Sequence, residues 1–577
     1  MKAPKPLSRR EFLRGLLWVS AGGLAEWLTG CTHTPAPTPT TIIRPTANPT
    51  ASPTSTPSPT PTLTAVTDSP LFDKSSLTPV YVAHDPAGAG RYPAEPPFDP
   101  DTAYPELPYT LSASTFQNDA YRLVRETLRM LHPVGFGTVD WNPLDTLIQP
   151  GDRVLIKPNL VDASAWADGQ ITHPAILRPI IDYVYKACGP TGQIVVGDGP
   201  WSLDVFDSLT AVTGIQTLVE RLAHDYGIPI FLQDLNQVDH EQTPLVDMGA
   251  ASELRTAQRV WYDAHGEILE EGGDPGIGRY RISPLVLEAD VVISVPKAKV
   301  HCSGGITVAM KNMIGIIPAW DGDYGDGVLK DCAHTSDLDR ASGKRGMYLE
   351  NDTIWRTMAD LNRILVYADM QGILRTQPQR RYLMIVDAIV AAEASQYNPN
   401  PYPLNTVILG TDPISVDAVT ARCMGFDPHQ LKSVVKAARG LDLPLGVADP
   451  ARIDVHMAEQ SRLNTFFRCA LSPELYVYSW EGHLEAKDFD PPELLDWQWN
   501  PQDARLDIAA RDVAGTAWVR VNYDYQGEHR VKNLQLIEGS PHEGLWSIPF
   551  HLGKDVRQVD VKLGDMLFNK AEQRIEW

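Results

Sequence analysis

Between Asp290 and Trp320 the sequence reads DVVISVPKAKVHCSGGITVAMKNMIGIIPAW, which brings Lys297, Lys299, His301 and Lys311 together with no Asp or Glu among them. The whole chain carries a net charge of −22, so this cationic stretch stands against its surroundings. Lys297 and Lys299 are two apart just past an apolar run, and in extended backbone they project to the same side. Gly304 and Gly305 allow a ligand to approach the main chain closely. Thr307 to Met313 reads as the start of a helix whose first N–H groups favour an anion, with Lys311 and Asn312 a turn further in. Such groups suit a phosphate or carboxylate ligand. Lys297 or Lys299 would serve as a base, or form an imine, if burial lowered its pKa, and His301 as a proton-transfer group or metal ligand. The competing reading leaves the lysines solvated or paired with acids such as Asp198.

Other residues extend the same theme. Lys157 and Asn159 follow an apolar run, as do Asp198 with Gly199, Asp387, and Thr411 with Asp412. In open α/β sheets ligands bind beyond the carboxyl ends of the strands, so these positions form one composite candidate site. Asp198 and Asp387 are the carboxylates suited to a divalent cation, with Asn159 as a neutral oxygen ligand. His301, Cys302, Cys332, His334, Asp337 and Asp339 are an alternative metal-ligand set, and a Cys302–Cys332 disulfide competes with it. Asp412 before Pro413 is read as a helix cap, Asp417 as a salt-bridging residue, and His173 before Pro174 as a helix-start histidine.

The elements that must position these residues alternate. Strands are expected over Arg153–Ile156, Gln193–Val196, Pro229–Leu232, Val291–Val295, Tyr382–Val386 and Thr406–Leu409. Helices are expected over Asp119–Leu131, Ala175–Cys188, Ile215–Tyr226, Thr353–Asp369 and Ile414–Met424. The pattern predicts an α/β fold, a mostly parallel sheet flanked by helices, across residues 71–450, with an irregular, Pro-rich arm over about Leu71–Ala120. Residues 451–503 read as a connecting segment. Period-two alternation at Ala517, Val519, Val521, Tyr523 and Tyr525, and again at Val559, Val561 and Leu563, predicts a small all-β sandwich over 504–577, similar to immunoglobulin-like modules.

The N-terminus addresses the compartment. Ser8-Arg9-Arg10-Glu11-Phe12-Leu13 has the form of a twin-arginine signal, and Leu28-Thr29-Gly30-Cys31 that of a lipobox. Residues 1–30 are therefore expected to be a signal, with lipid attached at Cys31. Thr32–Thr62 is almost entirely Thr, Pro, Ser and Ala, and residues 31–70 are expected to be a disordered, extended stalk. The predicted location is lipid-anchored, on the outer face of the cytoplasmic membrane or at the cell surface. The acidic body excludes nucleic acid as a partner of its general surface. The six cysteines are widely spaced with no C-x-x-C pair, so no iron–sulfur cluster is expected.

Five blocks follow one another in a familiar order: GDRVLIKPNLV, THPAILRPIIDYVYKACGPTGQIVVGDGP, EADVVISVPKAKVH, GGITVAMKNMIGIIP, and IVDAIVAAE with GTDPISVDAVTARCMGFDP. Together they resemble the domain-of-unknown-function 362 family over about Phe116 to Pro428. The resemblance implies an α/β domain and leaves the substrate open. Some relatives add a ferredoxin-type module, whose cysteines this chain lacks. It departs again after Glu393, where Ala394-Ser395 replaces a Gly-containing acidic loop.

The resulting expectation is an exported, lipid-anchored enzyme or cofactor- or metal-binding protein. Lys157, Asn159, Lys297, Gly304, Gly305, Lys311 and Asn312 would bind an anionic small molecule, Lys299 and His301 would be catalytic, and a divalent metal is compatible. The alternative is a non-catalytic surface protein displayed on its stalk, with the sandwich making partner contacts.

Overall fold

The computed structural model describes most of residues 77–577. Residues 1–76 lie outside the described part, as do internal stretches that include 108–116, 162–168, 270–277, 320–329, 331–350 and 458–468. The expected signal, Cys31 and stalk therefore fall outside it, and so do Cys332, His334, Asp337 and Asp339. Among the described residues no helix is long and apolar enough to cross a membrane.

The body is built on one ten-stranded sheet. Its strands in chain order are β1 (Thr78–His84), β2 (Arg153–Pro158), β3 (Gln193–Asp198), β4 (Ile230–Asp234), β5 (Val291–Val295), β6 (Lys297–His301), β7 (Gly305–Thr307), β8 (Arg381–Ala394), β9 (Pro399–Gly410) and β10 (Ile453–Met457). The spatial order is β10-β1-β9-β8-β5-β2-β3-β4, with β6 paired to β7 and to the far half of β8. The β8-β5-β2-β3-β4 run is parallel, in register Tyr382↔Val292, Val154↔Val291, Val154↔Ile194 and Ile194↔Ile230. Only β9 and β7 run against their neighbours in this sheet.

Alternation of side chains divides each central strand between two apolar cores. Leu155 and Val292 face one; Val154, Ile156, Val291, Ile293 and Val295 face the other. Burial on both faces explains why these strands read as continuous Val/Ile/Leu runs. The helices that cover them include α1 (Asp119–Leu131), α2 (Pro174–Cys188), α3 (Ile215–Tyr226), α4 (Ala309–Asn312), α5 (Ile354–Tyr367) and α6 (Pro413–Cys423). Pro174 and Pro413 stand at the first helical position, where a missing N–H costs nothing.

The sequence-based elements are all present, with three differences that matter. The Pro-rich arm contributes β1, which lies inside the sheet between β9 and β10. Lys297–His301 is not a loop: Pro296 ends β5, and the chain steps across to pair with β8 as β6. The helix expected from Thr307 to Met313 is the single turn α4, continued as a tighter 3₁₀ turn over Met313–Ile316.

Two four-stranded antiparallel sheets follow. One orders β11 (Glu493–Asn500), β12 (Arg505–Arg511), β16 (Glu543–Pro549) and β15 (Gln535–Ser540); the other orders β14 (Glu528–Asn533), β13 (Thr516–Tyr525), β17 (Gln558–Asp565) and β18 (Lys570–Glu576). Ile508 and Trp546 of one sheet share a core with Val519, Val521, Val561 and Leu563 of the other, which makes a sandwich. Its first strand begins within the segment expected to be a connector.

Candidate functional site

The step at Pro296 creates the site. In β6, Ala298 and Val300 point into an apolar core, so Lys297, Lys299 and His301 line the opposite face in a row. All three are buried. The antiparallel partner β7 sets Thr307 directly across from Lys299 and Gly305 across from His301. Gly305 has φ +78°, and a Cβ there would lie 2.6 Å from Leu431, so this glycine is required by the turn and by its neighbours.

Two of the buried lysines are neutralised. Lys157 Nζ donates to Asp198 Oδ1 at 2.5 Å and to Asn312 Oδ1 at 3.3 Å. Lys297 Nζ donates to Asp387 Oδ2 at 3.0 Å and to the Tyr92 hydroxyl at 2.8 Å. Burial lowers both lysine pKa values, and the paired carboxylate opposes that shift in each case. Asp198 and Asp387, expected as cation ligands, act here as counter-ions. Asp198 also accepts the N–H of Leu160 (2.7 Å) and Gly199 (2.9 Å). Asp387 accepts the Tyr92 hydroxyl (2.6 Å) and the N–H of His173 (2.9 Å). With every carboxylate oxygen already engaged, neither residue presents the open face a divalent cation requires.

Lys299 and Lys311 are different. Neither has a carboxylate within ion-pair distance among the described residues. Lys299 Nζ donates to the Gln170 carbonyl at 2.6 Å. Burial holds its pKa well below the ordinary lysine value, and Lys311 and then Lys297 push it further down. Lys311 is half-buried and makes no hydrogen bond with a described residue; burial brings its pKa to about 8, against a small opposing effect of Cys302. Across from Lys299, Thr307 Oγ1 is buried with no hydrogen-bond partner among the described residues, and just past β2 so is Asn159 Oδ1. Buried polar atoms ordinarily find partners, so these are positions where a ligand's groups would be received.

His301 Nδ1 accepts the N–H of Ser303 (3.1 Å) and Gly304 (3.2 Å). An accepting Nδ1 places the proton of the neutral ring on Nε2, which makes His301 a donor on its other side rather than a metal ligand there. Asn312, expected to contact ligand, is spent internally: its amide donates to Ser294 Oγ (2.8 Å) and to the Lys157 carbonyl (3.2 Å). The helix-terminus contribution expected near Thr307 is also absent. The α4 turn is short, and the N–H groups of Ala309 (2.7 Å) and Met310 (3.3 Å) already donate to Asp417 Oδ1. Asp417 therefore acts as a cap, with no salt bridge to a described residue, and burial, with Asp412 adding to it, raises its pKa to about 8.

Asp412 caps α6, accepting Ser415 N–H at 2.9 Å. His173 caps α2 by accepting Ala175 N–H at 3.0 Å, and its ring stacks on Tyr92 with centroids 3.9 Å apart. Burial and then Lys297 push the His173 pKa well below the ordinary histidine value, so the ring is neutral. Tyr92 bridges Lys297 and Asp387, yet lies in the Pro-rich arm where no periodicity marks it. No local pattern marks Gly315 either. A Cβ there would stand 2.2 Å from Asp198 Oδ1 and 2.8 Å from Lys157 Nζ, so only glycine fits against the ion pair.

A second acidic group lies at the sandwich: Asp488, Asp512 and Asp565 are buried with ligand atoms within 4.8 Å of one another. Burial, then mutual repulsion, raises Asp512 to about 6 and Asp565 to about 8. This is the carboxylate cluster among the described residues whose spacing suits a cation.

The chain matches known proteins over part of its length. It is 26% identical over 210 residues to the thylakoid-associated protein sll1697 of Synechocystis sp., which covers 36% of this chain and 51% of that protein. Among solved structures, the lactate racemase apoprotein of Thermoanaerobacterium thermosaccharolyticum aligns at 15% identity and TM-score 0.26 over 52% of this chain and 58% of that one. A Thermotoga maritima protein aligns at 13% identity and TM-score 0.27 over 49% and 53%. The chain thus spans about half the length of the curated relative it matches. Residues 154–422, from β2 to the end of α6, match the model of the family described as domain of unknown function (DUF362).

Proposed function

We propose that this chain is an exported, lipid-anchored α/β protein whose sheet-edge site binds a small anionic molecule, a carboxylate or phosphate, between Lys299 and Lys311. One observation supports this reading: two neighbouring lysine side chains, one buried and one half-buried, share a site in which no described carboxylate lies within ion-pair distance of either, Asp198 acting on Lys299 only from further off. Buried charge of this kind is costly unless a counter-ion completes it. Thr307 Oγ1 supplies a hydroxyl beside Lys299, and Nε2 of His301 the proton donor in an enzymatic version of the reading. The unprotonated fraction of Lys299 would serve as a base, since burial and two neighbouring cations favour the free amine.

The test is direct binding calorimetry on the full chain with inorganic phosphate and with simple carboxylates such as lactate. The reading expects saturable binding of at least one anion, weakened about tenfold or more by Lys299→Ala and by Lys311→Ala, which corresponds to about 1.4 kcal/mol. Full affinity in both variants would reject it.

A further inference from the structure

Two buried thiols meet where the body joins the sandwich. Cys423 is the last residue of α6, and Cys469 lies just beyond the segment 458–468; both are fully buried. Both are free thiols in this structure, and each perturbs the other's ionisation. The backbones are fixed around this contact, because Leu471 N–H donates to the Cys423 carbonyl at 3.1 Å and Ser472 Oγ donates to the same oxygen at 3.4 Å.

The surroundings distinguish the two sulfurs. The Cys423 thiol favours the thiolate of Cys469; burial opposes that preference, and Arg422 and Lys570 add to it, so its pKa lies below the ordinary thiol value. Cys423 is displaced in the opposite direction, first by Cys469 and then by burial. The pair also sits on the seam itself. Asn569 Oδ1 of the sandwich accepts from Cys469 N–H (3.3 Å) and from Arg422 Nη2 (3.2 Å).

We propose that Cys423 and Cys469 are a disulfide-forming pair, a covalent staple that ties the end of α6 to the segment leading into the sandwich. The co-reactant is a disulfide oxidant, protein or small molecule. The Cys469 thiolate attacks one sulfur of the oxidant, forming a mixed disulfide and expelling one thiolate. Cys423 gives up its proton and attacks the Cys469 sulfur, forming the internal S–S bond and expelling the second thiolate. The oxidant gains two electrons and the protein loses two. Because both sulfurs are buried, the exchange runs during folding or through local opening of the segment around Cys469.

The full chain is refolded in a reduced/oxidised glutathione buffer, blocked with iodoacetamide under denaturing conditions, and mapped by mass spectrometry with and without reduction. The expected result is a dominant cross-link between the peptides containing Cys423 and Cys469. The oxidised protein should also have a higher Tm than the reduced one, a difference that disappears in Cys469→Ala. Alkylation of both residues in the oxidised sample, or a dominant cross-link from either one to another cysteine, overturns the proposal. The mapping uses the unsubstituted chain, so its outcome does not depend on how well Cys469→Ala folds.

Discussion

Lys299 stands directly opposite Thr307 in the β6–β7 ladder, and the Thr307 hydroxyl, though buried, has no hydrogen-bond partner among the described residues. Removing an unsatisfied buried hydroxyl while keeping its shape relieves a desolvation cost. Thr307→Val should therefore leave stability unchanged within about 0.5 kcal/mol or raise it. The same substitution should weaken anion binding if the hydroxyl meets the ligand. Urea denaturation and calorimetry on one preparation separate the two effects, and a large loss of stability would show that Thr307 is structural.

Gly315 makes the Lys157–Asp198 pair possible. Gly315→Ala would place a methyl group within 2.2 Å of Asp198 Oδ1. Either the pair opens, leaving charge buried, or the backbone moves. The expected destabilisation is about 3–5 kcal/mol, as for breaking a buried ion pair from one side. A shift in the urea midpoint with unchanged slope would report it.

Asp417 sets a pH dependence whose sign is definite. Its folded pKa, about 8, lies above the unfolded carboxylate value, so its contribution is complete in acid and is lost as pH rises toward 8. Asp417→Asn keeps an oxygen acceptor for the Ala309 and Met310 N–H groups but cannot ionise. The variant should lose a slope of up to about 1.4 kcal/mol per pH unit between pH 5 and 8, one proton's worth. Denaturation series at four pH values check this; parallel curves for variant and parent would contradict it.

Lys311 titrates in the opposite sense. Its folded pKa of about 8 lies below the unfolded lysine value, so its contribution to stability is present in alkali and is lost as pH falls through 8. Anion affinity should behave inversely, falling by up to about tenfold per unit as the ammonium is lost above pH 8. Lys311→Arg should flatten that profile, because a guanidinium stays charged.

The N-terminal expectation has its own test. Arg9→Lys with Arg10→Lys should trap the chain in the cytoplasm, and Cys31→Ala should release the exported protein from the membrane fraction. Fractionation with immunodetection reads both. Membrane retention of the Cys31→Ala protein would remove the anchor from the proposal.

Much of the architecture was legible because two-sided burial writes itself as Val/Ile/Leu runs. Val291–Val295 was delimited from that signal alone, and α3 from its 3.6-residue period. Lys297 and Lys299 were legible as a pair because alternation survives in any extended segment. Their unequal roles were not, since Asp387 lies far along the chain and no local pattern shows which lysine it meets. Asn312 and Lys157 looked like ligand-binding residues because residue type does not reveal a partner brought in by folding. Tyr92 and Gly315 were invisible for the same reason: each is defined by what approaches it.

Tyr92 also sets an order of events. Its bonds to Lys297 and Asp387 span 205 and 295 positions of sequence. Closing loops of that length costs entropy that the contacts must offset, so the row of lysines is complete only when the Tyr92 arm, β6 and β8 have come together. A nascent or truncated chain that has built β2, β3 and β5 has the scaffold but not the contacts that Tyr92 makes with Lys297 and Asp387. Anion capture by the proposed site would therefore require that β8 and the Tyr92 arm be in place.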